Sequence, residues 1–254
     1  MVYYGSLSST RQQGLVLLMS TVDQVSQGPP PTIRAILPAL TSFDFKGDSE
    51  YLEDIVSRIN TPLLNDVAIK LFNQLVFDGP LLSDFICRTE TFKPLNQARI
   101  SIFSKFIHIT LSQEKGQAVG VALALQISCS ALDWQLSSLG QICSIALPHT
   151  GTLRHLEIRH EGRLWQDDMD SSQWLELLHP FTSVKDLILS NKVAGLVVPA
   201  LQALTVERVT DVLPALRNLF LDSSTRSGAI QEAIAQYVAT RQLSGHPVAV
   251  VYQR

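Results

Sequence analysis

The sequence predicts an α/β fold, namely a leucine-rich-repeat-like open solenoid with a mostly parallel sheet on one side and helices on the other. The first observation is an apolar frame at positions i, i+3 and i+5 that recurs along the chain, as in LRHLEI and LRNLFL. The second is that helix-forming stretches lie between the copies, so strand and helix alternate. Such alternation indicates parallel strands, and the repetition favours a solenoid over a doubly wound sheet.

The frame occurs in five strong copies and two weaker ones. Successive copies start 24, 31, 27, 31, 31 and 32 residues apart. Leucine-rich repeats run about 20 to 29 residues, so these steps suit irregular repeats with full helices. The strong copies begin at Leu40, Leu64, Leu153, Val184 and Leu216, and the weaker ones begin at Leu95 and Ala122.

One segment, SSQWLELLHPFTSVKDLILS at 171–190, shows the switch from helix to strand. Ser171 or Ser172 can cap a helix, and Trp174 begins a series of apolar residues at helical spacing. Pro180 cannot continue that helix. The next frame copy then predicts a strand. By the same reasoning, helices are predicted at 50–59, 80–87, 132–142, 174–178, 199–209 and 228–243, with a last strand at 248–252.

Two regions depart from the repeat. Residues 98–112 contain RISIFSKFIHITL, which predicts two strands with a tight connection, and hence a hairpin that interrupts the solenoid. Residues 1–35 are an atypical N-terminal segment, with a partial repeat strand at 15–18 and a Pro-rich loop at 28–31. If the array starts at that strand, the strand is an exposed edge. The repeat domain is predicted over 36–254.

Composition limits which binding partners and which cellular compartment are expected. The chain has 20 Lys plus Arg and 23 Asp plus Glu, a net charge of −3, and no basic stripe, so nucleic acid is not an expected partner. No apolar stretch approaches the roughly 18 residues of a membrane span. Cys87, Cys129 and Cys143 are widely spaced, which predicts reduced, mostly buried thiols in the cytoplasm or nucleus.

The sequence contains no motif for catalysis, a cofactor or a metal. There is no Gly-x-Ser-x-Gly elbow, phosphate loop or dinucleotide fingerprint, and we expect no enzyme activity. An enzyme would need polar or titratable groups that converge in a cleft at the strand ends. Cys129, Cys143, His149 and His155 lack the close paired spacing of a zinc site.

Two further features have simple structural interpretations. Asp167, Asp168 and Asp170 suit an acidic helix N-terminus better than a calcium loop, which needs a spaced Gly and a distal Glu. Trp134 and Trp174 lie at helical core spacing, so core packing is favoured over ligand binding.

A binding surface is predicted on the concave side of the sheet. Frame residues face the helices, so the residues between them line the open face. Most of these are polar, and a solvated face remains the alternative to a binding surface. Ile188 and Phe220 are apolar exceptions that could anchor a partner. The predicted contact centre comprises His155, Glu157, Arg159, Ile188 and Phe220, within a wider row that includes Ser42, Asp44, Lys46, Asp66, Lys70, Gln126, Ser128, Asp186, Asn218 and Asp222.

Five blocks stand out in a fixed order and spacing, namely LPALTSFDFKGDSEYLEDIVSRINTPLLNDVAI, CSALDWQLSSLGQICS, WQDDMDSSQWLELLHPFTSVKDLILS, PALQALTVERVTDVLPALRNLFL and GAIQEAIAQYVATRQLSGHPVAV. Through these blocks, roughly residues 30–254 of the chain resemble the C-terminal part of expanded fungal F-box proteins. The resemblance implies a leucine-rich-repeat-like region behind an N-terminal F-box. In such proteins the F-box engages the Skp-type adaptor of a cullin ubiquitin ligase, and the repeats are thought to select the protein substrate.

This sequence departs from the family pattern at its N-terminus. Residues 1–48 contain no Pro-started helical module that looks like an F-box. A Skp-type adaptor is therefore expected as a partner only if the full gene encodes that module. The alternative is a ligase-independent scaffold or decoy that lost the F-box but retains the same repeat surface.

Overall fold

The fold is mixed α/β, with one large sheet and six helices in the part of the chain that is described. The structure is a computed structural model, and it describes residues 3–5, 8–9, 12–18, 34–72, 79–93, 95–113, 121–129, 131–145, 147–162, 171–223, 225 and 228–253. Twelve strands form the large sheet, and two short strands form a separate pair.

Each of the seven frame copies contains a strand, and seven further strands of the described chain lie outside the copies. Their bounds are β1 Tyr3–Gly5, β2 Ser8–Ser9, β3 Gln12–Leu18, β4 Ala35–Ile36, β5 Leu40–Gly47, β6 Ile59–Asn60, β7 Asp66–Phe72, β8 Gln97–Ile102, β9 Phe106–Ser112, β10 Val121–Ser128, β11 His155–His160, β12 Asp186–Leu189, β13 Asn218–Asp222 and β14 Ala249–Gln253.

The helices lie between consecutive strands and pack mainly against their neighbours in sequence. Contacts join α1 to α2, α3 to α4, α4 to α5, and α5 to α6. Short 3-10 helices occupy Glu90–Phe92 and Pro148–Thr152. The α-helices are α1 Ser49–Arg58, α2 Pro80–Arg88, α3 Leu132–Ile145, α4 Ser171–Leu178, α5 Asn191–Gln202 and α6 Gly228–Leu243.

The large sheet is mostly parallel, and a predicted hairpin interrupts it. Its order is β1-β3-β5-β7-β10-β9-β8-β11-β12-β13-β14, and β2 pairs with β3. Neighbours in the series β3, β5, β7 and β10 pair in parallel, and so do neighbours in the series β8, β11, β12, β13 and β14. Between the two series, β9 is antiparallel to both β8 and β10. In the sheet, β8 is therefore three positions away from β7, although it is the next of these strands along the chain. The antiparallel meander of β8, β9 and β10 then brings β10 back beside β7.

The predicted partial repeat strand near the N-terminus is not an exposed edge. The predicted strand at 15–18 lies within β3, which is parallel to β5. Both β1 and β2 pair antiparallel with β3, so its other side is hydrogen-bonded as well. The expectation of an open edge at this strand is wrong, because these two short strands occupy it.

The apolar frame accounts for much of the sheet side of the hydrophobic core, and β9 adds Ile107, Ile109 and Leu111 outside the frame. All three positions in all seven copies are buried, including the weaker copies that begin at Leu95 and Ala122. The two later positions of each copy lie in a strand, two residues apart, and therefore share one face. These side chains form one core with the buried faces of the helices. The opposite face of the sheet carries half-buried and exposed residues.

In most of the sheet, equivalent positions of neighbouring frame copies are register partners. Leu187 pairs with Leu219, for example, so equivalent frame positions are neighbours on β12 and β13. Between β7 and β10 the register is displaced by two residues, since Val67 pairs with Leu123 rather than with Leu125. A shift of two keeps the same side chains on the core face, whereas a shift of one would reverse them.

One predicted helix is misplaced, and the others are confirmed with small shifts at their ends. The helix expected at 199–209 lies instead at α5, so Pro199 is inside the helix rather than at its start. The reason is that 193–201 buries most of its residues against the core, and packing overrides the proline signal. Ser171 is the first residue of α4 rather than its cap.

The tryptophan and cysteine predictions are only partly confirmed. Trp174 is buried, but Trp134 is 50% exposed. The core face of α3 runs through Gln135, Leu136 and Leu139, so Trp134 lies just off it. The three cysteines are free thiols, yet Cys143 alone is buried, while Cys87 is exposed and Cys129 is half-buried. The expectation of mostly buried thiols is therefore wrong.

Two predictions fall outside the described residues. These are the Pro-rich loop at 28–31 and the acidic stretch at 167–170. Within the described part of the chain, no helix combines the length and apolar character that a membrane crossing requires.

Candidate functional site

The five predicted contact residues lie on one face of three adjacent strands. His155, Glu157 and Arg159 alternate along β11, Ile188 lies on β12, and Phe220 lies on β13. Each is half-buried or exposed, whereas the frame residues between them are fully buried. The alternation of side chains along a strand explains this division, because every second residue faces away from the helices.

An apolar row runs across the C-terminal strands on this open face. Ile188 is the register partner of Phe220, and Phe220 is the register partner of Val251 on β14. Val251 is 38% exposed. The sequence interpretation missed Val251, although the alternation in AVVYQ at 249–253 places it on the same face. We call Ile188, Phe220 and Val251 the apolar row.

A charged cluster adjoins the apolar row on β11. Glu157 is the register partner of Ile188, and its side chain is only 12% exposed. The Nε of Arg99, on β8, donates to one carboxylate oxygen at 2.6 Å, and the Nε of Arg159 donates to the other. Two guanidinium groups thus hold one carboxylate in a fixed position. Arg99 was not predicted, because its place beside β11 depends on the insertion of the hairpin.

Polar side chains that contact one another form the row next to the apolar row, two residues earlier along each strand. The Nδ1 of His155 lies 2.8 Å from Oδ2 of Asp186. The Nδ2 of Asn218 donates to Oδ1 of Asp186 at 2.7 Å. His155, Asp186 and Asn218 are register partners on β11, β12 and β13. These contacts fix three strands side by side and leave the apolar row flanked by hydrogen-bonded groups.

A cavity of about 330 Å3 opens at the carboxyl ends of β11 to β14. Glu157, Arg159 and Ile188 line it, so three of the five predicted residues contribute to one concave site. Burial lowers the pKa of His160, which also lines the cavity, and the nearby Lys192 ammonium lowers it further. Ligands commonly bind at the carboxyl ends of parallel strands, and this cavity suits a polar group next to an apolar one.

No relative identifies this surface. The chain matches no protein-family model, no curated protein and no solved structure.

A second cavity, of about 650 Å3, lies on the helix side of the molecule. Gly140 on α3, Leu175 on α4 and Val212 in the loop after α5 are among its lining residues. None of the five predicted contact residues lines this cavity. Among the described residues, no three His, Cys, Asp or Glu side chains are grouped so that they could hold a metal ion.

Proposed function

We propose that this chain is a protein-interaction module built as a leucine-rich-repeat-like open solenoid. By its resemblance, the module corresponds to the substrate-recognition region of an F-box subunit of a cullin ubiquitin ligase, with no catalysis of its own. The observation that carries the proposal is the apolar row, which lies on an open sheet face between ion-paired and hydrogen-bonded side chains.

The arrangement of repeats supports the solenoid. Strands β11 to β14 are added in chain order, with α4, α5 and α6 each connecting one strand to the next. Each connecting helix contacts the next one in sequence. Nearest-neighbour stacking of this kind is characteristic of solenoids. The meander of β8, β9 and β10 is an insertion that leaves the parallel order intact on both sides.

The chemistry of the surface supports protein binding. Protein interfaces typically have an apolar centre, enriched in aromatic residues, and a polar rim. Phe220 occupies the middle of the apolar row, and the Glu157 cluster lies at one end of it. Arg99 and Arg159 already pair with the carboxylate of Glu157 at this end of the row. A partner that covers Phe220 would therefore not leave Glu157 as a buried unpaired charge.

The alternative is a ligase-independent scaffold or decoy with the same surface. The two candidates differ in their partners rather than in their binding face. A ligase subunit would bring the Skp-type adaptor and cullin with it, provided that an F-box is present in the full gene. A scaffold would bind its partners without either. In both cases we propose an intracellular role in the cytoplasm or nucleus.

Affinity capture with paired variants tests the proposal. The tagged chain would be recovered from the cells that express it, alongside Phe220→Glu and the control Leu243→Glu. Leu243 is 77% exposed at the end of α6, so both variants add one negative charge. We expect specific partners to be lost with Phe220→Glu and retained with Leu243→Glu.

Folding and partner identity complete that test. Circular dichroism of each variant would show that the loss is not caused by unfolding. Co-purification of the Skp-type adaptor and cullin would favour the ligase candidate, and specific partners without them would favour the scaffold. If the same partners remain bound to folded Phe220→Glu, the apolar row is not the binding surface.

A further inference from the structure

A row of six side chains crosses the open face near the carboxyl ends of the five parallel strands that contribute to it, and near the amino end of the antiparallel strand β9. The register makes each member the partner of the next, across β5, β7, β10, β9, β8 and β11. Three members are cationic, one is histidine, and the other two are uncharged. We call this set the basic row; its members are Lys46, Lys70, Gln126, His108, Ser101 and Arg159.

Two members of the basic row carry the same charge on neighbouring strands. Lys46 and Lys70 are direct register partners, and both are exposed. Like charges this close to each other repel, and the repulsion disfavours the arrangement unless a counter-charge is present. Within the described part of the chain, neither ammonium has an ion-pair partner, although Lys46 lies 5.4 Å from the ring centroid of Phe72. Burial lowers the pKa of His108, and Lys70 lowers it further.

The acidic residues of the open face lie in other rows. Asp44 on β5 and Asp66 on β7 precede the lysines on their own strands by two and four residues. Burial raises the pKa of Asp66, and the negative charge of Asp44 raises it further. On β5 and β7, acidic groups thus adjoin acidic groups and lysines adjoin lysines, whereas on β8 and β11 the carboxylate of Glu157 is paired with Arg99 and Arg159. If β5 and β7 had only a structural role, pairing the two signs there as well would add stability.

We propose that the basic row binds an acidic, extended segment of a protein partner that runs across the strands. This inference rests on the proposed function, because it names the chemistry of the partner for the same open face. Negative side chains on that segment would relieve the repulsion between Lys46 and Lys70 and leave the donors of Gln126 and Ser101 available for its backbone.

The dimensions fit a short peptide. Neighbouring strands lie about 4.8 Å apart, so the five steps from Lys46 to Arg159 span about 24 Å. An extended chain advances about 3.3 Å per residue, which gives about seven or eight residues along the row. Phe72 lies beside one end and is 36% exposed, and the apolar row begins near the other end. Apolar residues that flank an acidic stretch would therefore find contacts at both ends.

A nucleic acid fits these observations less well. Its affinity comes from the neutralisation of many phosphates, and the chain has a net charge of −3. A single-stranded backbone would also pass close to Asp44 and Asp66, which would repel it. A peptide can place its few carboxylates against the lysines alone.

The test uses the full chain and fluorescein-labelled octapeptides. One octapeptide contains four glutamates, its control contains glutamines at those positions, and an eight-nucleotide oligouridylate serves as the nucleic-acid probe. Fluorescence anisotropy at low salt would be measured for the native chain, for Lys46→Gln/Lys70→Gln, and for Arg154→Gln/Arg217→Gln. Arg154 and Arg217 are exposed and lie immediately before β11 and β13, at the amino ends of these strands. Both double variants lose two positive charges.

We expect the glutamate peptide to bind more tightly than the glutamine peptide. The lysine double variant should weaken that binding about tenfold, and the arginine double variant should leave it within about twofold. Equal binding of the two peptides, or equal effects of the two double variants, would overturn the proposal. Binding of the oligouridylate in preference to the glutamate peptide would also overturn it, in favour of nucleic acid. Failure here with continued Phe220-dependent capture would reject the acidic partner and leave the proposed function intact.

Discussion

Ile188 and Phe220 are direct register partners on β12 and β13, and both face away from the helices. Their chain neighbours Leu187 and Leu219 are also register partners, but these are fully buried in the core. Two adjacent pairs of apolar residues thus have opposite environments. The first pair is available to a partner, and the second pair holds the sheet to the helices.

The division between the two faces predicts opposite effects of truncation. Leu219→Ala should lower the free energy of unfolding by about 3 kcal/mol, because it creates a cavity in a closed core. Phe220→Ala should lower it by about 1 kcal/mol or less, because the ring is half-buried and faces solvent. Urea unfolding of the two variants checks this difference. Similar losses for both would mean that Phe220 is part of the core.

Buried Arg241 is predicted to be a major source of stability near the C-terminus. It is fully buried on α6. Among the described residues, the acceptors of its guanidinium hydrogen bonds are all backbone carbonyls. Arg241→Met should cost about 3 kcal/mol, because these carbonyls would lose their donors inside the protein. The carbonyl oxygens belong to Val209, Pro214, Leu216 and His246.

Exposed Arg217 provides the control for Arg241. Arg217→Met removes the same charge and should change the free energy of unfolding by less than about 0.5 kcal/mol. Thermal or urea unfolding would measure both variants. A small loss for Arg241→Met would show that water can replace the guanidinium, and that the segment 204–217 does not depend on it.

Much of the sheet could be predicted because its signal is local. Each frame copy contains its own alternation of apolar residues, so Leu153, Val184 and Leu216 mark strands without knowledge of their partners. The hairpin was predictable for the same reason. Its place in the sheet was not, because the return of β10 to β7 is a long-range choice. Arg99 was missed as a consequence, since its contact with Glu157 depends on that choice.

The sequence could predict which face of the sheet carries the candidate site, but not which of its side chains contact one another. Alternation placed Glu157, Ile188 and Phe220 on the open side, and the structure agrees. The ion pairs of Glu157 depend on which strand lies beside β11, and the sequence does not state that. Trp134 shows the converse difficulty, because helical spacing alone cannot distinguish a residue on the core face from one a single position off it.

Glu53 is predicted to stabilise the start of a neighbouring helix. Its carboxylate, on α1, accepts hydrogen bonds from the backbone N–H groups of Leu81 and Leu82, each at 2.8 Å. The residue before α2 is Gly79, which offers no side-chain cap. Glu53→Ala should therefore cost about 1 to 2 kcal/mol, and Glu53→Gln should cost less because it retains one acceptor. Urea unfolding measures both, and exposed Glu232→Ala serves as the control.

The three cysteines should differ widely in reactivity. Cys87 is exposed, whereas Cys143 is buried and burial raises the pKa of its thiol far above the usual range. Because the thiolate is the reactive form, Cys143 should react with an aromatic disulfide reagent at least about a hundredfold more slowly than Cys87. Cys129, whose thiol lies 3.6 Å from the carbonyl of Ala131, should react at an intermediate rate. Cys87→Ser should remove the fast phase; persistence of that phase would contradict the assigned burial.

The basic row makes a prediction about pH that depends on two of its members. Burial, and then Lys70, lower the pKa of His108 in the folded chain below its ordinary value of about 6.5. The unfolded chain therefore binds the proton first as the pH falls. Stability from neutral His108 is fully present above about pH 6.5 and is lost progressively towards its folded pKa. His108→Gln should reduce this loss of stability at acid pH.

Removal of the Lys70 charge should change that pKa in a known direction. Lys70→Gln should raise the pKa of His108 towards its ordinary value, although burial should still hold it below that value. Titration of the imidazole nitrogens by NMR measures the pKa directly. Arg217→Gln removes an equal charge at a distant strand end and should leave the pKa unchanged. An unchanged pKa in Lys70→Gln would mean that Lys70 and His108 do not lie in one row, and the register of β7, β10 and β9 would have to be different.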